Sequence, residues 1–211
     1  ILSKRKPGEY LDVIGPLGNS FRTRSPCLAG RQAEPCTPIL VAGGMGTAPL
    51  VFLAEEITGG RIIVLIGAKT KKDILCEDEF KKLGCEVRIA TDDGSRGFKG
   101  YVSDLLIKEL SAFNSQPSAL YACGPKLLLK EISRISLEHN IPAQLSLESH
   151  MACGIGACRG CVIKTRDEGQ PFGLVRLRSP QVAQGRETKD AVAYKRVCKE
   201  GPVFEAGEII W

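Results

Sequence analysis

From residue 38 onward, apolar residues come in short runs separated by stretches with helical spacing. The run at 39–42 predicts a buried strand, and 48–57 after it predicts a helix. The alternation then continues with a strand at 61–67, a helix at 72–83, a strand at 85–91 and a helix at 102–110. A strand at 118–123, a helix at 125–139 with proline in its first turn, and a strand at 143–147 complete it. Strands alternating with helices at this spacing require crossover connections. The fold class they predict is α/β, a doubly wound parallel sheet. Ahead of it, 10–14 reads as a strand followed by a Gly/Pro turn, and 22–37 as a linker without periodicity. After Glu148 the alternation stops. Residues 149–161 form a Gly/Cys loop, 162–165 a strand, 166–191 a polar aperiodic stretch, and 194–197, 203–204 and 209–211 short β pieces. Three units follow: 1–37, an α/β domain over 38–148, and a small β-rich module over 149–211.

Composition narrows the function. No apolar run approaches the roughly 18 residues that span a bilayer, so a soluble chain is expected. Residues 1–10 lack the apolar core of a signal peptide. The chain starts at Ile1 rather than Met, which reads as a clipped or partial start. A net charge of +5 fits an acidic partner or a phosphate-bearing cofactor. With only 6% aromatics and no basic stripe among them, nucleic acid is not an expected partner. Nine cysteines, an odd number with three packed into nine residues, argue against a disulfide framework and for a metal site in a reducing cytoplasm.

Cys153-x4-Cys158-x2-Cys161 with Cys198 further on has the plant-type spacing of a [2Fe–2S] cluster. Four thiolates must converge on a small inorganic core, and Gly154, Gly156 and Gly160 let the loop bend and bring N–H groups close to sulfur. A zinc site is the alternative, but it calls for a second Cys or His pair, and Cys198 stands alone. Gly43, Gly44, Gly46, Thr47 and Pro49 lie in a Gly-rich turn between a strand and a helix, where glycines allow close backbone approach to a pyrophosphate. The alternative there is an ordinary βα turn. Cys123, Gly124 and Pro125 end the fourth strand of the sheet on its carboxyl edge, where such folds bind ligands, or Cys123 is merely a small buried residue. Asp92 and Asp93 end the third on the same edge, where a carboxylate can bond ribose hydroxyls and repel a 2′-phosphate, favouring NAD; the alternative is a solvated turn.

The segments GPLGNSF (15–21), VAGGMGTAPL (41–50), TDDGS (91–95), ACGP (122–125), LESHMACGIGACRGCVIKT (147–165) and YKRVCKEGPVFEAGEIIW (194–211) together resemble one family. It is the electron-transfer subunit of NAD-dependent, class 1B dihydroorotate dehydrogenase, within the ferredoxin–NADP reductase-like superfamily. The resemblance implies a cytoplasmic oxidoreductase subunit of pyrimidine (UMP) biosynthesis. Its partner is the FMN-containing catalytic subunit, with two copies of each in the complex. Electrons from dihydroorotate oxidation cross the [2Fe–2S] cluster and FAD to NAD⁺. By position, Cys153, Cys158, Cys161 and Cys198 are then the cluster ligands, residues 43–49 and 123–125 hold the nicotinamide nucleotide, and no catalytic residue is implied. Gly15, Pro16, Leu17 and Gly18, with Glu148 just before the cluster loop, fall at the FAD site, and residues 1–37 become the end of a flavin β-barrel plus a linker.

The sequence departs from the family in three places. An R-x-Y-S-type flavin motif and the G-T pair after it are not found, so weak FAD binding and inefficient NADH-driven electron transfer are expected of this chain by itself. Residues 22–37 do not resemble the usual short connection, and 172–191 are extra. Two other functions compete. One is a sulfide dehydrogenase or ferredoxin:NADP⁺ reductase subunit, and the other is a non-catalytic metal-binding redox module.

Overall fold

Ile39, Leu40, Val41 and Ala42 are all fully buried, without the polar alternation of a strand that has one wet face. Such a strand needs cover on both sides. The computed structural model describes residues 4–23, 37–57, 60–112, 117, 119–166 and 192–211, and it supplies that cover. In chain order the elements are β1 (Ile39–Gly43), α1 (Thr47–Glu56), β2 (Ile63–Ala68), α2 (Glu77–Lys82), β3 (Glu86–Thr91), β4 (Phe98–Lys99), α3 (Val102–Ala112), β5 (Leu120–Cys123), α4 (Lys126–His139), β6 (Ala143–Ser146), β7 (Val162–Arg166), β8 (Val192–Arg196) and β9 (Val203–Glu205). Alternate residues of β1 feed two cores. Leu40 and Ala42 join Leu50, Leu53 and Phe80 of α1 and α2, while Ile39 and Val41 join Leu105, Leu106, Leu129 and Ile132 of α3 and α4.

The larger sheet has the order β4-β3-β2-β1-β5-β6-β9, parallel throughout except for β9, which pairs antiparallel with β6. The boundary drawn at Glu148 is therefore crossed by the chain's own hydrogen bonds. β9 and the residues around Cys198 share a core with α4: Phe204, Ala206, Cys161, Val197 and Cys198 pack with Ile132 and Ile135. β7 and β8 form a separate antiparallel pair. Helix α4 shows how local sequence serves this packing. Leu129, Ile132, Ser133, Ile135 and Ser136 make its buried stripe, and the Ser133 hydroxyl donates to the Ala206 carbonyl at 3.0 Å. Asn140, left-handed at φ 53, ends the helix, its N–H donating to the Leu137 carbonyl.

Several expectations need correction. The predicted strand at 10–14 does not form: Tyr10 and Val13 are 98% and 83% exposed, and no strand among the described residues lies beside them. An alternating pattern without a neighbouring edge has nothing to bond. The helix expected over 72–83 is shorter. A capping box between Thr70 and Asp73 closes a separate 3-10 turn at Lys71–Asp73, and Cys76, at φ 56, breaks the chain before α2. β4 and the 3-10 turn at Ala206–Glu208 were not anticipated, and the strand expected at 209–211 is reduced to one bridge between Ile209 and Thr165. The linker at 22–37 and the polar stretch at 166–191 fall almost wholly outside the described residues, as do Cys27 and Cys36. No helix among the described residues is long and apolar enough to cross a membrane.

Phe204 is 3% exposed and fastens β9 to the core beside Cys198. Phe204→Ala is expected to lose about 3–5 kcal/mol of stability by leaving a cavity. Tyr10→Ala should stay within about 0.5 kcal/mol of the parent. Urea unfolding followed by circular dichroism compares the two, and equal effects would contradict this packing.

Candidate metal centre and nucleotide crevice

The strand order reverses direction at β1 and β5: β2 and β3 extend the sheet one way, β5 and β6 the other. In an open parallel sheet, the loops leaving the carboxyl ends of such a pair border the ligand crevice. Gly43 to Pro49 leave β1 and Cys123 to Pro125 leave β5, with Ala42 in register with Cys123, so the two motifs meet at that point. The contact is close. A side chain on Gly46 would sit 2.6 Å from the Gly124 nitrogen and against the Cys123 carbonyl. Gly46 is accordingly buried, and its bare backbone serves the packing of loop on loop. Gly44, by contrast, is exposed, at φ +56, with nothing within 4 Å of where a Cβ would stand.

Thr47 is fully buried and donates its hydroxyl to the Gly44 carbonyl at 2.7 Å, so it braces the turn. Pro49 is exposed in the first turn of α1, whose start carries no side-chain cap. Met45 stands exposed on the β1 loop, and Leu127 in the first turn of α4. Cys123 is buried, and burial pushes its thiol above the ordinary range; a Ser146 hydrogen bond opposes this and the Glu148 carboxylate adds to it. Cys123 is thus a neutral thiol, and Glu148, itself exposed, lies close enough to act on it. At the end of β3, Asp93 is occupied: its carboxylate accepts from the Ser95 hydroxyl at 2.6 Å and the Ser95 N–H at 2.9 Å, which holds it below its usual range. Both carboxylates are exposed, and they stand two strands from the β1 loop, or about 10 Å by strand spacing.

The cysteines gather at the start of the β7–β8 pair. Val162 of β7 is in register with Arg196 of β8, which brings Cys161 and Cys198 together from 37 positions apart. The Val197 N–H donates to the Cys161 carbonyl at 3.0 Å, and the Cys198 N–H donates to the Cys161 sulfur at 3.4 Å. On the loop, the Cys158 N–H donates to the Cys153 sulfur and the Gly160 N–H to the Cys158 sulfur, each at 3.4 Å. The backbone N–H of Cys158, with its side chain next, lowers the Cys153 thiol to about 6, so it is a thiolate at neutral pH. A hydrogen bond with the Cys161 side chain raises Cys198. The thiols thus stand two by two, Cys153 with Cys158 and Cys161 with Cys198. Among the described residues, no three His, Cys, Asp or Glu side chains are spaced to hold one metal ion. This donor set, with amide hydrogens on three sulfurs, fits a two-iron cluster with a pair of ligands at each end better than a tetrahedral zinc.

Residues outside the sequence-based expectations bind this site together. Arg196 donates to the Gly156 carbonyl at 2.6 Å and forms a two-pronged pair with Glu200, whose carboxylate also accepts the Arg196 backbone N–H at 2.7 Å. Gly156 takes the left-handed φ of +82, and a Cβ there would press on the Lys199 side chain at 2.8 Å. Gly15, Pro16, Leu17 and Gly18 are exposed, but the next residue, Asn19, docks on the turn after Cys198. Its N–H donates to the Gly201 carbonyl at 2.5 Å and its side-chain amide to the Glu200 carbonyl at 2.8 Å. The only sequence signal for Arg196 and Glu200 was an opposite-charge pair four apart, flanking a ligand cysteine.

Relatives with known names bear on this arrangement. The family model of an oxidoreductase NAD-binding domain matches residues 40–134. That of the iron–sulfur cluster binding domain of dihydroorotate dehydrogenase B matches 148–175 and 182–210. The dihydroorotate dehydrogenase B (NAD(+)) electron transfer subunits of Desulforamulus reducens and Bacillus caldolyticus are 37% and 38% identical to this chain over its full length, which spans 70% and 69% of theirs. That of Streptococcus thermophilus is 36% identical. Among solved structures, an NADH-dependent reduced ferredoxin–NADP oxidoreductase aligns with the whole chain at a TM-score of 0.69 and 28% identity, and the chain spans 64% of it.

Gly46→Val is expected to lower both the thermal midpoint and NADH binding, because the side chain would force the Cys123–Gly124 loop outward. Calorimetry on the variant, with and without NADH, decides this: lost binding with an unchanged midpoint would show that Gly46 faces the ligand instead.

Proposed function

We propose that this chain, which belongs to the family of dihydroorotate dehydrogenase B electron transfer subunits, carries electrons between a dihydroorotate-oxidising partner subunit and NAD⁺. Its cofactors are a [2Fe–2S] cluster, FAD and NAD. The observation that carries the reading is that the turn holding Cys198 runs directly into the sheet that bears the crevice. β9, just past Cys198, bonds to β6, and β6 bonds to β5, which ends in Cys123. When bound, the cluster takes one electron at a time, and the flavin interconverts a hydride's electron pair with single electrons.

The chain's own residues have distinct tasks in this reading. Cys153 and Cys158 would hold one iron, and Cys161 and Cys198 the other, with the N–H groups of Cys158, Gly160 and Cys198 offsetting negative charge on sulfur. The β1 and β5 loops would seat the nicotinamide nucleotide, with Gly44 at the open face. Asp92 would face the ribose and repel a 2′-phosphate. Gly15 to Gly18 and Glu148 would border FAD. The neutral thiol of Cys123, buried beside Glu148, would form one wall against the reacting ring without competing for its charge. A cytoplasmic setting in pyrimidine biosynthesis belongs to the same proposal. The solved neighbour favours a second reading, an NADP-linked ferredoxin reductase subunit. The match of 148–175 and 182–210 to the dihydroorotate dehydrogenase B cluster domain weighs for the first.

Three measurements test the proposal. The anaerobically reconstituted chain should contain about two iron and two sulfide per chain. Cys158→Ser should remove both, and stoichiometric zinc without sulfide would contradict the cluster. Assembled with an FMN-containing dihydroorotate dehydrogenase catalytic subunit, the parent's cluster should be reduced by dihydroorotate, and Cys158→Ser should give no such signal. By calorimetry NADH should bind more tightly than NADPH, and Asp92→Asn should narrow the difference. Tighter NADPH binding by the parent would favour the second reading.

A further inference from the structure

Arg196 and Glu200 are placed symmetrically, two positions before and two after Cys198. Each side chain is only 27% exposed, so solvent and salt screen them less than a surface pair. Arg196 is a junction. Its guanidinium holds the Gly156 carbonyl, midway along the loop between Cys153 and Cys158, and grips both oxygens of Glu200. Its charge also interacts with the sulfurs of Cys198 and Cys161. Its backbone carbonyl accepts the N–H groups of Lys199 and Glu200, at 3.1 and 2.9 Å, which closes the turn around Cys198. One side chain therefore joins the loop with two of the thiols to the turn with the last, and leaves a positive charge on the Cys161–Cys198 side.

Resting on the reading that these four thiols hold a [2Fe–2S] cluster, we infer that Arg196 is a positioning residue for the cluster and that Arg196 and Glu200 together set its reduction potential. Taking up one electron adds one negative charge to the cluster. A cation beside the Cys161–Cys198 pair favours the reduced form and raises the potential, and the carboxylate gripping that cation opposes it. The two residues therefore act with opposite sign, although each removes the same ion pair when replaced. A purely structural pair would give the same effect from either side.

The test is a potentiometric titration of the full chain loaded with its cluster, followed by electron paramagnetic resonance. Arg196→Met should shift the midpoint to more negative values. Glu200→Gln, which keeps the shape of the side chain, should shift it to more positive values. Arg196→Lys should hold the midpoint near the parent's but lose iron faster to a chelator, because one ammonium cannot grip Glu200 at two points and the Gly156 carbonyl together. If Arg196→Met fails to fold, the sign of the Glu200→Gln shift decides alone. Shifts of the same sign, or none, in a chain that does carry the cluster would overturn the inference. A parent chain with no cluster signal would instead overturn the reading beneath it.

Discussion

A cysteine 37 positions downstream of its nearest partner has to be delivered by folding, because no local loop can fix it. Here the delivery is made by backbone pairing. β8 lies antiparallel to β7, which starts one residue after Cys161, and β9 lies antiparallel to β6. Between these two anchors the chain has a single short turn, Val197 to Pro202, and Cys198 sits in it. Phe204 and Val197 press that turn into the core that α4 shares with the sheet. The cysteine site is thus an extension of the α/β sheet, although its sequence has left the α/β pattern behind.

The same turn also holds the N-terminal segment. Asn19, just after the Gly15–Gly18 segment, bonds to the carbonyls of Glu200 and Gly201. Phe21 then packs edge-on against Tyr121 of β5, and Gln144 of β6 accepts the Arg22 N–H at 2.8 Å. The segment assigned to the flavin, the turn assigned to the fourth ligand and the strand ending in Cys123 are therefore fastened to one another directly. Electron transfer depends steeply on separation, so it is best served when the groups holding each cofactor cannot drift independently. Backbone bonds at short range supply that.

Much of this was legible in the sequence, for a physical reason. A parallel sheet covered on both faces needs uninterrupted apolar strands, and 39–42 and 61–67 announce themselves by composition alone. The cysteine loop was legible because its spacing reflects a cluster's size. Misreadings arose where long-range contacts decide. The 10–14 segment has strand-like alternation but no edge to pair with. Cys76 takes a left-handed conformation that its residue type does not advertise, and it halves a helix. Pairing of β9 with β6 joins residues about sixty positions apart, which no local pattern encodes. In the site, the close packing of Gly46 against Cys123 is visible only in the folded structure. Arg196, Glu200 and Asn19 look in sequence like ordinary surface residues, and their meaning comes from Gly156 and Gly201, far along the chain.

If the tail is held in the sheet and also carries the fourth ligand, the cluster and the sheet edge must stabilise each other. Amide hydrogen exchange on the chain with its cluster, and again after the iron is stripped, tests this most directly. Loss of the cluster should speed exchange at the Cys158, Gly160, Val197 and Cys198 amides and spread along β9 to its partner β6, while β1 and β2 keep their protection. Equal protection of Val197, Cys198 and β9 in both states would contradict the account, because Cys198 would then not be tied to the cluster.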